Sequence, residues 1–302
     1  MEVFMGKFEG ILPILATPFS NDGELDYESL ENLTEYLAGS GVHGITMFGI
    51  ASEFHKLTDS ERDKMTELTI QTVQKRLPVI VSITDQSWEA AVKRAVQAER
   101  LGADGIMIFP PFFLNPLKAE IRNHILKLAN AVDIPVIVQY APNQSGIAFD
   151  SGFFVKLNEE APNIQYVKVE STPPGPTISS IASDAENISC LVGYAGVQMI
   201  DALNRGAVGV QPGCSFTEPY VEIYKEYQNG NKEKAFELHR KMLPLLNLLM
   251  QNVELIIQAE KEILYRRGII KTPYCRSPKY SLDAEQHKQM NEYLKPIQDY
   301  FL

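Results

Sequence analysis

The sequence has few cysteines, few basic residues and no long apolar run, and each scarcity argues against a class of protein. Its 302 residues include three cysteines, and 28 basic against 38 acidic residues give a net charge of −10. An acidic chain does not offer the basic face that a phosphate backbone requires, so we do not expect a nucleic-acid partner. No run approaches the roughly 18 apolar residues of a membrane span, so we do not expect a membrane partner.

Metal, nucleotide and secretion signals are also missing from the sequence. Cys190, Cys214 and Cys275 cannot all pair and have no C-x-x-C spacing, which predicts reduced thiols in a cytoplasm. The five histidines show no H-E-x-x-H or paired spacing, so no metal site is predicted. No glycine-rich nucleotide loop occurs, and the N-terminal stretch lacks the basic start and long apolar core of a signal peptide.

Short apolar runs alternate with amphipathic segments along the first two thirds of the chain. The runs predict eight strands, at 11–16, 44–49, 78–82, 104–109, 135–140, 165–171, 188–192 and 208–210. Helices are predicted between them, and the first is capped by Asp26 and runs to about Ala38. This alternation is typical of parallel βαβ units.

A repeated phrase, G-x-x-G-[IV], begins at Gly41, Gly102 and Gly206. Each copy lies where a predicted helix ends and a strand begins, and glycine suits that left-handed helix terminus. The copies are 61 and 104 residues apart and enclose two and four predicted units, so a unit has about 26 to 30 residues. Eight such units favour a (β/α)₈ barrel over residues 1–217. Residues 218–302 show only helical periodicity, at 220–228, 232–250, 254–267 and 283–294, and predict a helical region packed on the barrel.

The candidate catalytic groups lie at the ends of predicted strands, where barrel enzymes carry their active sites. Lys168 and Glu170 share one face of the sixth strand and Val167 and Val169 share the other. Tyr140 ends the fifth strand. The loop 49–54 follows the second strand and offers Ser52, Glu53 and several backbone N–H groups. Each has an ordinary alternative: a solvated lysine, a tyrosine in the core, and carboxylates that bond neighbouring backbone.

A lysine shielded from water can attack a ketone and form an imine. The protonated imine withdraws electrons from the adjacent carbon, which allows C–C bond formation, C–C cleavage or loss of a β-hydroxyl. A nearby tyrosine can carry the proton, and N–H groups of a tight loop can hold the carboxylate of a 2-keto acid. These groups suffice without a metal or cofactor.

The chain resembles the dihydrodipicolinate synthase / N-acetylneuraminate lyase family of class I aldolases and dehydratases over nearly its whole length. The resemblance rests on Thr17-Pro18-Phe19, Gly49-x-x-x-Glu53, Leu57-Thr58-x-x-Glu61-Arg62, Gly102-Ala-Asp-Gly105, Pro110-Pro-Phe-Phe113, Tyr140-x-Pro142, Lys168-x-Glu170 and Gly193. It implies Lys168 as the Schiff-base lysine, Tyr140 as the acid/base group, and a homo-oligomer, usually a tetramer. It also implies a keto-acid pocket that includes Ala51, Ser52, Gly193 and Gln211.

Three departures from the synthase pattern bear on the substrate. Ala51 and Phe113 lack the hydroxyls of the usual proton relay, and 141–146 contains no arginine for a second substrate carboxylate. Glu170 stands two residues after the lysine. We therefore expect a lyase, a dehydratase or aldolase, that acts on a 2-keto-3-deoxy sugar acid, with Glu170 polarising a substrate hydroxyl. Two alternatives stay open: the synthase reaction of pyruvate with aspartate semialdehyde, and a keto-acid-binding barrel without catalysis.

Overall fold

A computed structural model of the protein describes residues 8–301, so the first seven residues of the predicted non-secretory N-terminus lie outside it. The structure has eight strands, as predicted, and they alternate with helices. The strands are β1 (Gly10–Ile11), β2 (Ile45–Met47), β3 (Val79–Ser82), β4 (Gly105–Ile108), β5 (Val136–Tyr140), β6 (Ile164–Val169), β7 (Ser189–Val192) and β8 (Ala207–Val210).

Among residues 8–301, eight α-helices lie between the strands and four follow the last one. The first eight are α1 (Tyr27–Gly39), α2 (Asp59–Val73), α3 (Trp88–Leu101), α4 (Lys118–Ala129), α5 (Pro142–Ser145), α6 (Ser151–Glu160), α7 (Gly175–Asp184) and α8 (Met199–Asn204). The C-terminal four are α9 (Thr217–Gln228), α10 (Lys232–Leu249), α11 (Val253–Arg266) and α12 (Ala284–Leu294). The four predicted C-terminal helices are therefore confirmed. The single turn α5 was not predicted.

The chain divides into two compact units. Of the described residues, the first unit contains 78–210 together with Phe8 and Glu9, and the second contains 10–77 and 211–301. In the first unit, strands β3 to β8 pair in parallel in chain order. Their apolar side chains are buried on both faces, as expected for a parallel sheet covered by helices.

The register of the first unit decides which side chains share a face of the sheet. Gln139 on β5 pairs with Lys168 on β6, and Lys168 pairs with Leu191 on β7. Tyr140 pairs with Val169. Because paired residues of parallel strands point to the same side and successive residues alternate, Gln139 and Lys168 share one face and Tyr140 lies on the other.

The second unit contains β1, β2, α1, α2 and the four C-terminal helices. Asp26 caps α1 by accepting a hydrogen bond from the Ser29 N–H, as predicted. The predicted first strand at 11–16 shortens to Gly10–Ile11 and one isolated bridge from Ile14 to Thr46. Pro13 explains the difference, because it has no N–H to continue the ladder.

The three G-x-x-G phrases end helices in the predicted way. Gly41, Gly102 and Gly206 have φ values of +81°, +100° and +97°, in the left-handed region that only glycine adopts without strain. Among the helices of residues 8–301, none combines the length and apolar character needed to cross a membrane.

Candidate active site

Lys168 is buried near the end of β6 in the first unit. Only 3% of its surface is exposed, so the reading of a solvated lysine is wrong. Its ammonium Nζ lies 3.5 Å from Oε1 of Glu170, which follows the last residue of β6 on the same face. A buried amine beside a carboxylate has a proton acceptor within reach, as nucleophilic lysine chemistry requires.

The Glu170 carboxylate is held on both oxygens. The Gln139 amide Nε2 donates to Oε2 at 2.6 Å, and the Tyr194 backbone N–H donates to Oε1 at 3.3 Å. Gly193 leaves room for this carboxylate, because a Cβ at position 193 would overlap Glu170 Oε1. The structure thus brings the predicted residues Lys168, Glu170 and Gly193 together. We refer to Lys168, Glu170 and Gln139 as the lysine cluster.

Tyr140 lies outside the lysine cluster. Its ring packs against Phe149 and against Phe154 of α6, with centroid distances of 6.1 and 5.5 Å. Its hydroxyl accepts the Phe149 N–H at 3.3 Å. Since the register places Tyr140 on the opposite face from Lys168, the structure does not bring the predicted acid/base tyrosine to the amine.

Gln139, and not Tyr140, shares a face of the sheet with Lys168. It is 2% exposed and occupies the strand position that pairs with Lys168. This residue was not predicted from the sequence. The available signal was a single amide side chain directly after the apolar run Val136–Val138 and one residue before the tyrosine.

Neutral polar side chains stand beside the lysine cluster on the loops that follow β5, β6 and β7. The Asn143 amide donates to the hydroxyls of Thr172 and Tyr194 at 2.9 and 3.3 Å, and the Gln144 amide donates to Tyr194 at 3.1 Å. We call Asn143, Gln144, Thr172 and Tyr194 the neutral rim. Because Tyr194 also bonds Glu170 through its backbone, the rim is tied to the carboxylate of the cluster.

The predicted carboxylate loop lies in the second unit. Residues Ile50–Ser52 form one 3₁₀ turn after Gly49. The Ser52 hydroxyl is buried and donates to the Gly49 carbonyl at 2.7 Å, and Thr17 Oγ1 donates to the Ser52 carbonyl at 2.5 Å. The Ser52 hydroxyl therefore stabilises the turn itself. The groups left for a substrate carboxylate are backbone N–H groups at the start of the turn, where no partner exists within the turn.

Gln211, the first residue after β8, is buried in the second unit with one acceptor free. Its Nε2 donates to Thr46 Oγ1 at 2.9 Å. Its Oε1 has no hydrogen-bond partner within residues 8–301. A buried polar atom without a partner costs free energy, so this oxygen is suited to receive a donor from a ligand.

Glu53 ends the carboxylate loop and is fully buried. It accepts hydrogen bonds from Lys261, from Lys56 and from the Arg276 N–H. This confirms the structural alternative given for Glu53. Cys190, Cys214 and Cys275 are buried free thiols, and residues 8–301 contain no group of three potential metal ligands.

Comparison with known proteins gives consistent matches over nearly the whole chain. The sequence profile of the dihydrodipicolinate synthetase family matches residues 7–297. An L-2-keto-3-deoxyarabonate dehydratase of Azospirillum brasilense is 27% identical over 293 residues, covering 94% of this chain and 93% of that protein. A 4-hydroxy-tetrahydrodipicolinate synthase of Methanocaldococcus jannaschii is 28% identical over 289 residues, covering 94% and 96%. The solved dihydrodipicolinate synthase of Aquifex aeolicus has a TM-score of 0.90 at 28% identity, covering 98% and 99%.

The fold and these matches define an enzyme of the lyase class, built as a (β/α)₈ barrel with C-terminal helices. The chain belongs to the dihydrodipicolinate synthetase family. The family, the fold class and the enzyme class expected from the sequence are thereby confirmed.

Proposed function

We propose that the protein is a Schiff-base lyase in which Lys168 forms an imine with a 2-keto-3-deoxy sugar acid and Glu170 transfers the protons. One observation carries this proposal: the 3.5 Å separation of Lys168 Nζ and Glu170 Oε1 inside the first unit. Both side chains are shielded from water, at 4% and 12% exposure. Low exposure strengthens their interaction and favours a reactive amine over a solvated one.

The proposed reaction begins at the substrate ketone. The neutral Lys168 amine attacks C2 to give a carbinolamine, whose hydroxyl takes a proton from solvent and leaves as water, so a protonated imine results. A proton then leaves C3 for Glu170, and the electrons of that bond form an enamine.

In a dehydratase, the enamine expels the C4 hydroxyl, which departs as water with the proton returned by Glu170. In an aldolase, Glu170 instead takes the proton of the C4 hydroxyl as the C3–C4 bond breaks, and the enamine that results takes this proton back at C3. Hydrolysis of the final imine regenerates the amine, so no cofactor is consumed.

Gln139 and Tyr194 give Glu170 a fixed orientation in this scheme. The Gln139 amide donates to Oε2, and the Tyr194 N–H donates to Oε1, which lies 3.5 Å from the amine and has a second lone pair for proton transfer. Preorganised hydrogen bonds of this kind lower the cost of reaching the transition state. In the proposal, Glu170 is the catalytic acid/base and Gln139 is a positioning residue.

The neutral rim favours the assignment of a substrate that carries hydroxyl groups. Its amides and hydroxyls are donors and acceptors without charge, which suits the hydroxyl groups of a sugar acid. The loop 141–146 contains no arginine for a second carboxylate, and Ala51 has no hydroxyl for the synthase relay. We expect the N–H groups of the Gly49–Ser52 loop to hold the C1 carboxylate and Gln211 Oε1 to accept a substrate donor.

The synthase reaction, pyruvate with aspartate semialdehyde, is the second candidate. It is supported by the name of the Methanocaldococcus jannaschii relative, while that of the Azospirillum brasilense relative supports the dehydratase. A coupled assay with pyruvate and aspartate semialdehyde tests the synthase reaction. A third possibility, a non-catalytic barrel, predicts stoichiometric keto-acid binding with no turnover of either substrate set.

A panel of 2-keto-3-deoxy acids tests the proposal directly. Loss of substrate with pyruvate release indicates aldol cleavage, and loss without pyruvate indicates dehydration. Lys168→Met should abolish both, and Lys156→Met, at an exposed position of α6, is the matched control that should retain activity. Turnover of aspartate semialdehyde and pyruvate, with none of the panel, would overturn the sugar-acid assignment.

Two further expectations belong to this proposal. We expect a homo-oligomer, a dimer or a tetramer, which light scattering after size-exclusion chromatography measures. We also expect a cytoplasmic location, because the three buried cysteines are free thiols.

A further inference from the structure

Two adjacent residues of helix α11 reach two different loops of the second unit. Glu260 and Lys261 are 3% and 1% exposed, although both carry ionisable side chains. Successive residues of a helix point about 100° apart, so neighbours on α11 can serve different loops. The proposed reaction uses neither side chain.

Lys261 is bound to the loop that follows β2. Its ammonium donates to Glu53 Oε1 and to the Tyr274 carbonyl, and lies 4.3 Å from the centroid of the Phe19 ring. Glu53 has a φ of +60°, in the left-handed region that costs a non-glycine residue free energy. The buried ion pair therefore holds the end of the turn Ile50–Ser52 in a conformation that the backbone alone disfavours.

Glu260 is bound to the loop that follows β8. Its Oε2 accepts the N–H groups of Cys214 and Ser215 at 2.8 and 2.9 Å. Gly213 admits the carboxylate, since a Cβ at position 213 would overlap its oxygens. The same loop begins with Gln211, whose Oε1 is buried without a partner in the described chain.

The loops are also linked to the N-terminal strand region of the second unit. The Thr17 hydroxyl donates to the Ser52 carbonyl, and the Ala16 N–H donates to Cys214 Sγ at 3.3 Å. These links are single hydrogen bonds. The α11 contacts instead involve buried ionisable groups. Without Lys261, Glu53 keeps only Lys56 and the Arg276 N–H as partners, and without Glu260 the N–H groups of Cys214 and Ser215 lose their acceptor.

We propose that Glu53, Lys261 and Glu260 are positioning residues through which α11 sets two substrate-binding loops separately, Gly49–Glu53 through Lys261 and Gln211–Ser215 through Glu260. The identity of the ligand rests on the proposed function, whereas the attachment of each loop does not. The C-terminal helical region thereby has a role in substrate binding, although its residues need not touch the substrate.

Because Glu260 and Lys261 are buried, their polar groups depend on the two loops for hydrogen-bond and ionic partners. Burial lowers the pKa of Lys261 and raises the pKa of Glu260 to about 7. Lys261 has the carboxylate of Glu53 as its partner, and Glu260 has two backbone N–H donors, so each buried side chain depends on its own loop for a partner. We therefore expect that replacing Lys261 loosens only Gly49–Glu53 and that replacing Glu260 loosens only Gln211–Ser215.

Hydrogen exchange and pyruvate trapping on three full-length variants test the proposal. The variants are Lys261→Met, Glu260→Gln and, as control, Glu262→Gln, which breaks only a partly exposed pair with Arg266 on the same helix. Hydrogen exchange is measured for peptides that cover residues 49–56 and 211–217. Trapping is measured as the pyruvate concentration that gives half-maximal borohydride reduction onto Lys168.

We expect Lys261→Met to speed exchange at least tenfold in 49–56 alone, and Glu260→Gln to do so in 211–217 alone. The half-saturating pyruvate concentration should rise tenfold or more in Lys261→Met, with the maximal trapping rate within threefold of wild type. Glu262→Gln should match wild type in both measurements. If Lys261 and Glu260 had a purely structural role, replacing them would lower the melting temperature without confining the faster exchange to one loop.

Two results would overturn the proposal: exchange that rises evenly across both loops, or loop exchange that stays at the wild-type rate in Lys261→Met and Glu260→Gln. Absence of any adduct in wild type would instead count against the proposed function. The exchange pattern would still decide the attachment of the loops, so the two failures are distinguishable.

Discussion

The amide of Gln139 donates to Glu170 at 2.6 Å, and the other oxygen of that carboxylate lies 3.5 Å from the amine of Lys168. The first contact joins β5 to the end of the neighbouring strand β6, and the second joins two residues on the same face of β6. The structure therefore places a carboxylate, that of Glu170, beside the lysine amine.

Glu170→Gln should leave imine formation possible and stop the steps after it. The amide keeps the size of the side chain but cannot accept a proton from C3 or the C4 hydroxyl. We expect kcat to fall by about 10² to 10⁴-fold, the usual contribution of general acid–base catalysis. Steady-state kinetics with the accepted keto acid, alongside borohydride trapping, checks this. A variant with kcat within fivefold of wild type would remove Glu170 from the mechanism.

Tyr140→Phe should change stability more than catalysis. The hydroxyl bonds the Phe149 N–H on the face away from Lys168, so its loss removes one buried hydrogen bond. We expect about 1 kcal/mol of lost unfolding free energy and kcat within about threefold of wild type. Urea denaturation and kinetics on the same sample measure both quantities. A hundredfold loss of kcat would restore the tyrosine as the acid/base group.

Gly193→Ala should disturb the carboxylate of Glu170. A methyl group at position 193 would overlap Glu170 Oε1, so the carboxylate must move away from the amine. Displacements of about 1 Å at a reacting group can cost on the order of 10²-fold in rate. We expect kcat to fall by that order while pyruvate still forms its adduct. Gly152→Ala, near the start of α6 and without such an overlap, is the control and should keep wild-type kinetics.

The pH dependence of stability should report the Glu260 carboxyl. Burial raises its pKa from 4.5 to about 7 in the folded protein, so between these values the folded state holds the proton more tightly. Stability therefore falls as pH rises from 4.5 towards 7, by roughly 3 kcal/mol in total, and the loss is complete above pH 7. The thiol of Cys214 and the hydroxyl of Tyr220 interact with this carboxyl, and burial raises the pKa of both, so they stay neutral in this range.

Chemical denaturation at pH 5, 6, 7 and 8, with Glu260→Gln as reference, isolates that contribution. The difference in unfolding free energy between wild type and variant should decrease towards pH 7 and then level off. A difference that is constant with pH, or that increases towards pH 8, would contradict the raised pKa.

Local patterns predicted the fold because they depend on near neighbours in sequence. The glycine phrases mark helix ends through positive φ at Gly41, Gly102 and Gly206, and the alternation at 165–171 placed Lys168 and Glu170 on one face. Strand pairing is not local. The partner of Lys168 on β5 depends on a register that includes a shift between Val136 and Ile137, so the sequence pointed to Tyr140 where the structure has Gln139.

The buried charges of the second unit show the same limit. Glu53 and Lys261 are separated by 208 residues, and nothing local to either indicates the pair. Glu53 was predicted to have a structural alternative, but its partners required the tertiary structure. Gln211 and Ser52 were predicted to bind substrate, and their polar atoms differ in availability. The Gln211 amide oxygen has no hydrogen-bond partner among residues 8–301, whereas the Ser52 hydroxyl is bonded within its own turn.

The most direct test of the central claim is the mass of the lysine adduct. Wild-type protein is incubated with a 2-keto-3-deoxy sugar acid, reduced with borohydride and digested, and the peptide that contains Lys168 is weighed. We expect one reduced adduct on Lys168 in wild type and in Tyr140→Phe, and none in Lys168→Met. An unmodified Lys168 with every 2-keto acid tried, pyruvate included, would contradict it.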